Sequence, residues 1–167
     1  LCFMNNHLIF SERNHHSLIY IELNDSLTIT EVSLNNNDFD DHVSFTILNL
    51  VPSPDSKHIL ASTDKSRHII YPMKSNRHVR NLYGHSSDEF AKPRACWDST
   101  GKYVFSNSQA DSNNTVYVWC LASQRVISKL IRHQGLVRDL HYHNNQQDSR
   151  DLLVTASYDH SIKIWKP

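Results

Sequence analysis

The chain has 167 residues, 39% of them hydrophobic and 20% charged, which is enough for one packed domain and unlike a disordered tail. Seventeen Lys and Arg balance seventeen Asp and Glu, so no net basic field draws in nucleic acid or an acidic membrane, and both are disfavoured as partners. Three cysteines, Cys2, Cys96 and Cys120, form no CxxC pair and are too few for a disulfide framework or a thiolate zinc cage. The expected location is therefore a reducing, intracellular one, cytoplasmic or nuclear. The longest apolar runs, such as 152–156, fall far short of the roughly 18 residues that span a bilayer. The chain opens on Leu1 with no basic n-region and no apolar stretch behind it, so no signal peptide is visible and a fragment with missing upstream sequence is expected.

In chain order, short runs rich in Val, Ile, Leu, Phe and Tyr alternate with clusters of Asn, Ser, Asp and Lys, the pattern of strands and turns. Strands are predicted over 7–10, 18–23, 27–34, 45–51, 58–62, 68–71, 103–106, 115–119, 126–130, 136–142, 152–157 and 161–165. No segment sustains apolar residues at helical spacing. Several strands, FTILNLV among them, are apolar at consecutive positions, which requires both faces of their sheets to be covered. Small sheets stacked on one another follow.

A period test extends this. The segments 62–71 (STDKSRHIIY), 108–119 (SQADSNNTVYVW) and 157–165 (SYDHSIKIW) each read Ser, a turn with Asp, then a strand ending in a large aromatic. Those aromatics are Tyr71, Trp119 and Trp165, spaced by 48 and 46 residues. Upstream, His85 precedes Trp119 by 34 residues and His133 precedes Trp165 by 32. Two landmarks thus keep nearly the same spacing.

On these residues the sequence resembles the WD-repeat (WD40) β-propellers, in which a Gly-His step and a Trp-Asp step bracket each repeat and four strands make each blade. In the last repeat Arg132-His133 stands for Gly-His, Asp159 for the turn aspartate and Trp165-Lys166 for Trp-Asp. The middle repeat has Gly84-His85, a DSTGK turn at 98–102 and Trp119-Cys120. The repeat before it keeps SPDSK at 53–57 and Tyr71-Pro72, with Asp41-His42 where Gly-His would stand. Residues 1–34 are similar to the back of a still earlier blade, with Ile21-Glu22 at the Trp-Asp position. The resemblance implies an all-β propeller fragment of about four four-stranded antiparallel blades whose ring is not closed. Its divisions are a partial blade at 1–34, blades at 35–82 and 83–130, and a last blade at 131–167 lacking its outer strand. At about 40 to 45 residues per repeat, the expectation is the C-terminal portion of a larger ring that needs its remaining blades.

Catalysis and metal binding are weighed against structure. His133, Thr155 (or Ser157) and Asp159 could be drawn as a base, a nucleophilic hydroxyl and an orienting carboxylate. The family resemblance implies otherwise: a structural clasp of His133, Thr155, Asp159 and Trp165, repeated in the middle blade by His85, Asp111 and Trp119. Neither a GxSxG elbow nor a phosphate-binding glycine loop occurs. Twelve histidines raise the question of metal: His141 and His143 lie two apart on a predicted strand and share a face, and His15 and His16 adjoin in a turn, but no third ligand can be nominated. Neither a cofactor nor catalysis is expected. The ubiquitin-ligase adaptors of this family often carry Arg two positions after Trp-Asp, which is absent after Trp119 and Trp165. The Asn-rich stretches, Asn35 to Asn37 above all, read as solvated turns.

The function so expected is a scaffold for protein-protein interaction in a multiprotein complex, with a histidine-based metal-binding or hydrolytic protein using His133, Asp159, His141 and His143 as the rival. By resemblance, protein partners would dock on Leu136, Arg138 and Tyr158 of the last repeat and on Thr46, Leu48 and Thr63 of the repeat at 42–82.

Overall fold

Strands that are apolar at every position can be stable in water only inside a stack, because alternate side chains point to opposite faces. A computed structural model, describing residues 1–13, 17–34, 45–87, 91–108, 114–144 and 151–166, shows how this chain meets that demand. Its fifteen strands are β1 (Cys2–Met4), β2 (His7–Phe10), β3 (Ser17–Glu22), β4 (Thr28–Ser33), β5 (Ile47–Pro52), β6 (His58–Thr63), β7 (Arg67–Pro72), β8 (Arg80–Tyr83), β9 (Ala95–Trp97), β10 (Tyr103–Asn107), β11 (Thr115–Cys120), β12 (Arg125–Ile131), β13 (Val137–His143), β14 (Leu152–Ser157) and β15 (Ile162–Trp165). They form four antiparallel meanders in chain order: β1 to β4, β5 to β8, β9 to β12 and β13 to β15. No described residue is helical.

The apolar core is divided into three layers, one between each pair of consecutive sheets. Alternation along single strands produces this division. On β6, Ile59 and Ala61 face the first sheet while Leu60 faces the third; on β7, Ile69 and Tyr71 face back while Ile70 faces forward. Trp97 and Trp119 pack toward the second sheet, and their strand neighbours Cys96 and Val116 toward the fourth. Burial pushes the Tyr71 hydroxyl and the Cys96 thiol each up to about 12, as expected for groups enclosed on both sides.

Register shows the repeat more sharply than spacing does. Tyr20, Tyr71, Trp119 and Trp165 are each paired with the second-strand aliphatic residue of their own sheet, namely Ile9, Ile59, Val104 and Leu153. This corrects the placement of Ile21 at the aromatic position: Tyr20 holds it, fully buried, while Ile21 turns outward in a row with Phe3, Leu8 and Ile29. Residues 1–34, expected as part of a blade, contain four strands. Strands β1, β8 and β9 were not anticipated, because three or four residues hold too little pattern to separate a strand from a turn.

Sequential meanders give the molecule two ends. The turns from first to second and from third to fourth strand lie at one end, and the second-to-third turns and the links between sheets lie at the other. Both ends are clipped between sheets. At the first, the Trp97 indole donates to the Val51 carbonyl (3.3 Å). At the second, Asn107 Nδ2 donates to the Val137 carbonyl (2.8 Å) and Ser66 Oγ to the Ser87 carbonyl (2.9 Å).

Candidate functional site

The last sheet draws four of the singled-out side chains into one chain of hydrogen bonds. His133 lies in the link between β12 and β13, where Gly135 lets the strand entry pass close to the β14–β15 turn: a Cβ on Gly135 would stand 2.9 Å from the Asp159 amide nitrogen. Thr155, on β14, projects into the same space, and Trp165 reaches it from the neighbouring strand. The His133 Nδ1–H donates to Asp159 Oδ2 (2.9 Å), and Nε2 meets the Thr155 hydroxyl at 2.8 Å. The Trp165 indole N–H donates to Thr155 Oγ1 (2.9 Å). With the indole donor on its oxygen, the Thr155 hydroxyl gives its proton to His133 Nε2.

Asp159 does more than hold the histidine. It accepts from Ser161 Oγ (2.6 Å), from the Gln134 amide (2.9 Å) and from the Ser161 amide (2.9 Å), tying the β14–β15 turn to the strand entry. The Ser161 hydroxyl, then the Gln134 amide and His133, hold its carboxyl well below the usual carboxylate range. Ser157 closes the turn by donating to the Gly135 carbonyl and accepting from the Asp159 amide.

As an acyl-transfer site this arrangement is obstructed. A nucleophile needs an approach path and a position near oxyanion donors, yet Thr155 is 0% exposed and its oxygen is already engaged by the indole. What the atoms can do is satisfy one another. Leaving any one of them unpaired in the interior would cost about 1 to 3 kcal/mol.

The middle sheet is built differently. Ser106 has the same register as Thr155, but its hydroxyl donates to the Asn107 carbonyl (3.1 Å). The Trp119 indole donates to the Tyr83 carbonyl (2.8 Å). His85 stacks on His68 of the second sheet, with centroids 4.2 Å apart and planes 5° from parallel, and both imidazoles meet Trp119 edge-on. Their four ring nitrogens have no hydrogen-bond partner among the described residues. Asp111, the third member expected here, lies outside the described residues. His68 had no role in the sequence reading. It stands at the head of the run HIIY, directly after Ser66 and Arg67, where a histidine reads as the end of a polar turn.

The docking candidates divide. Arg138 and Leu48 occupy matching positions: each is the extra residue of a bulge at the start of its sheet's first strand, between Val137 and Asp139 and between Ile47 and Asn49. Leu136 and Thr46 precede them, and their carbonyls accept from the Tyr158 and Asp64 amides (2.9 and 3.1 Å). Tyr158 is 63% exposed. Thr63 does not belong to this set. It is fully buried, and its hydroxyl donates to the Arg67 carbonyl and accepts from the Lys65 amide, as Ser157 accepts from Asp159. The register makes Asp64, not Thr63, the counterpart of Tyr158. Aligning STD on SYD was wrong by one residue.

His141 and His143 are exposed on the outer face of the fourth sheet, and no group of three or more metal-ligating side chains occurs among the described residues. His15 and His16 lie outside the described residues, as do Asn35 to Asn37 and the Asp41-His42 step.

One comparison with known proteins bears on these features. Residues 124–166 match the WD domain, G-beta repeat family, a stretch that begins with the outer strand of the third sheet and takes in all of the fourth. Those residues carry a WD40 repeat. The matched unit straddles two sheets and contains the whole hydrogen-bonded chain from His133 to Trp165. The four antiparallel sheets of three or four strands match a propeller fragment, and the last of them lies wholly within the repeat. WD40 repeats serve in general as non-enzymatic scaffolds that bind proteins.

Proposed function

We propose that this protein is a non-catalytic scaffold that holds protein segments within a multiprotein complex, docking them on the end of the arc that carries Leu136, Arg138, Tyr158, Thr46 and Leu48. The observation that carries the proposal is the closure of the His133, Thr155, Asp159 and Trp165 set on itself. The residues best equipped for chemistry are spent in fastening a blade, and what remains available is surface. The two bulges support the choice of end, since a bulge re-aims its extra side chain, here Arg138 and Leu48. Arg and Tyr are types enriched at binding hot spots. A reducing intracellular compartment fits three cysteines that form no disulfide.

The test is comparative affinity capture with quantitative mass spectrometry, using wild type, Arg138→Glu, Tyr158→Ala and the double variant. The double variant is expected to lose specific partners while its melting curve stays within about 0.5 kcal/mol of wild type, as substitutions at half-buried and exposed surface positions outside the core do. Unchanged capture by a folded double variant would refute the docking end. Hydrolysis of a general ester substrate that disappears in His133→Ala would refute the scaffold.

A further inference from the structure

A neutral total charge conceals an uneven distribution. At the end of the second and third sheets opposite to Arg138 and Tyr158, the turns and strand starts carry Lys57, Lys74, Arg77, Arg80, Lys102 and Arg125. None of these six is ion-paired among the described residues. The same turns hold two carboxylates, and both are committed locally. Asp55 accepts from Ser53 Oγ and the Lys57 amide, and Asp98 from the Thr100 hydroxyl and the Tyr103 amide. The Ser53 hydroxyl, more than any neighbouring cation, keeps the Asp55 carboxyl below its ordinary value.

Between the two sheets at this end lies a cavity of about 460 Å³. Ile70, Val79, Trp97 and Leu121 give it apolar walls, and its polar side is made by Arg80, His58, Ser53, Thr100 and the Asp55 carboxylate, the last already accepting from Ser53 and the Lys57 amide. Arg80 begins β8 and is paired through its backbone with Ile70, so the guanidinium is held beside the apolar wall by the sheet itself. Val79 is 49% exposed. The groove is open at this end and large enough for a few side chains.

We propose that this groove is a second docking surface, distinct from the Arg138 end, for an extended acidic peptide segment in which aliphatic side chains alternate with carboxylates. The aliphatic groups cover Val79, Leu121 and the Trp97 wall; the carboxylates meet Arg80 and the surrounding lysines. Charge complementarity selects the occupant: six cations face two carboxylates already engaged by their own turns. A single-stranded nucleic acid would share the charge preference but needs exposed aromatic platforms for its bases, and the aromatic side chain that lines this groove, Trp97, is 7% exposed.

The experiment is fluorescence polarisation with the 167-residue chain and three labelled probes: a Glu-Leu-Asp-Leu repeat peptide, a Lys-Leu repeat peptide of equal length, and a short oligodeoxythymidine. The acidic peptide is expected to bind about tenfold or more tightly than either of the others and to weaken with salt. Arg80→Glu and Val79→Asp should each reduce that binding by about tenfold with unchanged melting, whereas Arg138→Glu should leave it intact. Failure of the acidic peptide to bind, tighter binding of the oligonucleotide, or equal binding by Arg80→Glu and Val79→Asp would each overturn the proposal. Because Arg138→Glu lies at the other end, loss of its partners leaves this result standing, and the reverse also holds.

Discussion

The stacked pair His68 and His85 makes the joint between the second and third sheets sensitive to acid. Both rings are buried, at 0% and 4% exposure, and they lie face to face with each other and perpendicular to the ring of Trp119. The cross-strand neighbours of His68 are Ser62 and Leu82, so no carboxylate from the flanking strands stabilises a proton there. Burial, followed by the neighbouring His85, pushes His68 well below its ordinary value, and burial alone pushes His85 down to about 4. An imidazole at about 6.5 in the unfolded chain binds more protons unfolded than folded between those two values. Stability from the neutral pair is therefore complete above about pH 6.5 and is lost as pH falls toward 4. For His85 alone the loss on going from pH 7 to 5 is about 2 kcal/mol, with a slope near 1.4 kcal/mol per pH unit in that window.

Chemical denaturation of the wild type, His68→Leu, His85→Leu and the double variant between pH 7 and 5 measures this slope directly. The double variant should be as stable as wild type at pH 7 or more so, because four buried nitrogens with no partner among the described residues are replaced by apolar atoms. Its stability should then fall less on acidification, by about 2 kcal/mol or more at pH 5. An unchanged slope would show that the stacked pair does not govern the acid response and that the joint admits water or a counter-charge.

Other substitutions test neighbouring parts of the argument. His133→Ala should destabilise by about 1 to 3 kcal/mol, Asp159→Ala should also lower the melting temperature, and the double variant should cost less than the sum because the two share one network. Additive melts would separate them. Gly135→Ala should lower stability without touching any side-chain partner, since its Cβ would press on the Asp159 amide and the Tyr158 carbonyl carbon, both backbone; an unchanged melting temperature would mean that the turn yields. Asn107→Ala should loosen the third sheet from the fourth by about 1 to 3 kcal/mol, since it removes the donor to the Val137 carbonyl, and should speed hydrogen exchange at the Arg94 amide, which donates to Asn107 Oδ1. The outward rows Phe3, Leu8, Ile21, Ile29 and His141, Val154, Ile164 predict concentration-dependent association of this chain in size-exclusion chromatography, reduced by Ile164→Lys. A sharp monomer at all concentrations would contradict it.

What the sequence disclosed and what it hid have a common physical origin. The aromatic landmarks were legible because one large residue per sheet must fill the same space between layers, and that requirement fixes Tyr71, Trp119 and Trp165 in register whatever the turns between them do. The polar set was legible only where the hairpin kept its length. From Leu153 to Trp165 the second-to-third connection has the same span as from Ile59 to Tyr71, yet even there Thr63 was matched one residue away from its true counterpart, because Ser-Thr-Asp and Ser-Tyr-Asp look alike while their strands end differently. From Val104 to Trp119 the connection is longer, and Trp119, with Ser106 turned to the Asn107 carbonyl, bonds the Tyr83 carbonyl instead. Ala61 stands where Thr155 carries its hydroxyl, so the second sheet has no group there to receive a histidine. Apolar packing between sheets therefore tolerates the decay of the hydrogen-bonded clasp from blade to blade. At the third sheet His85 stacks face to face on His68 of the neighbouring sheet, with no hydrogen-bond partner among the described residues, and the apolar layer between the two sheets forms without a hydroxyl like that of Thr155 reaching the tryptophan.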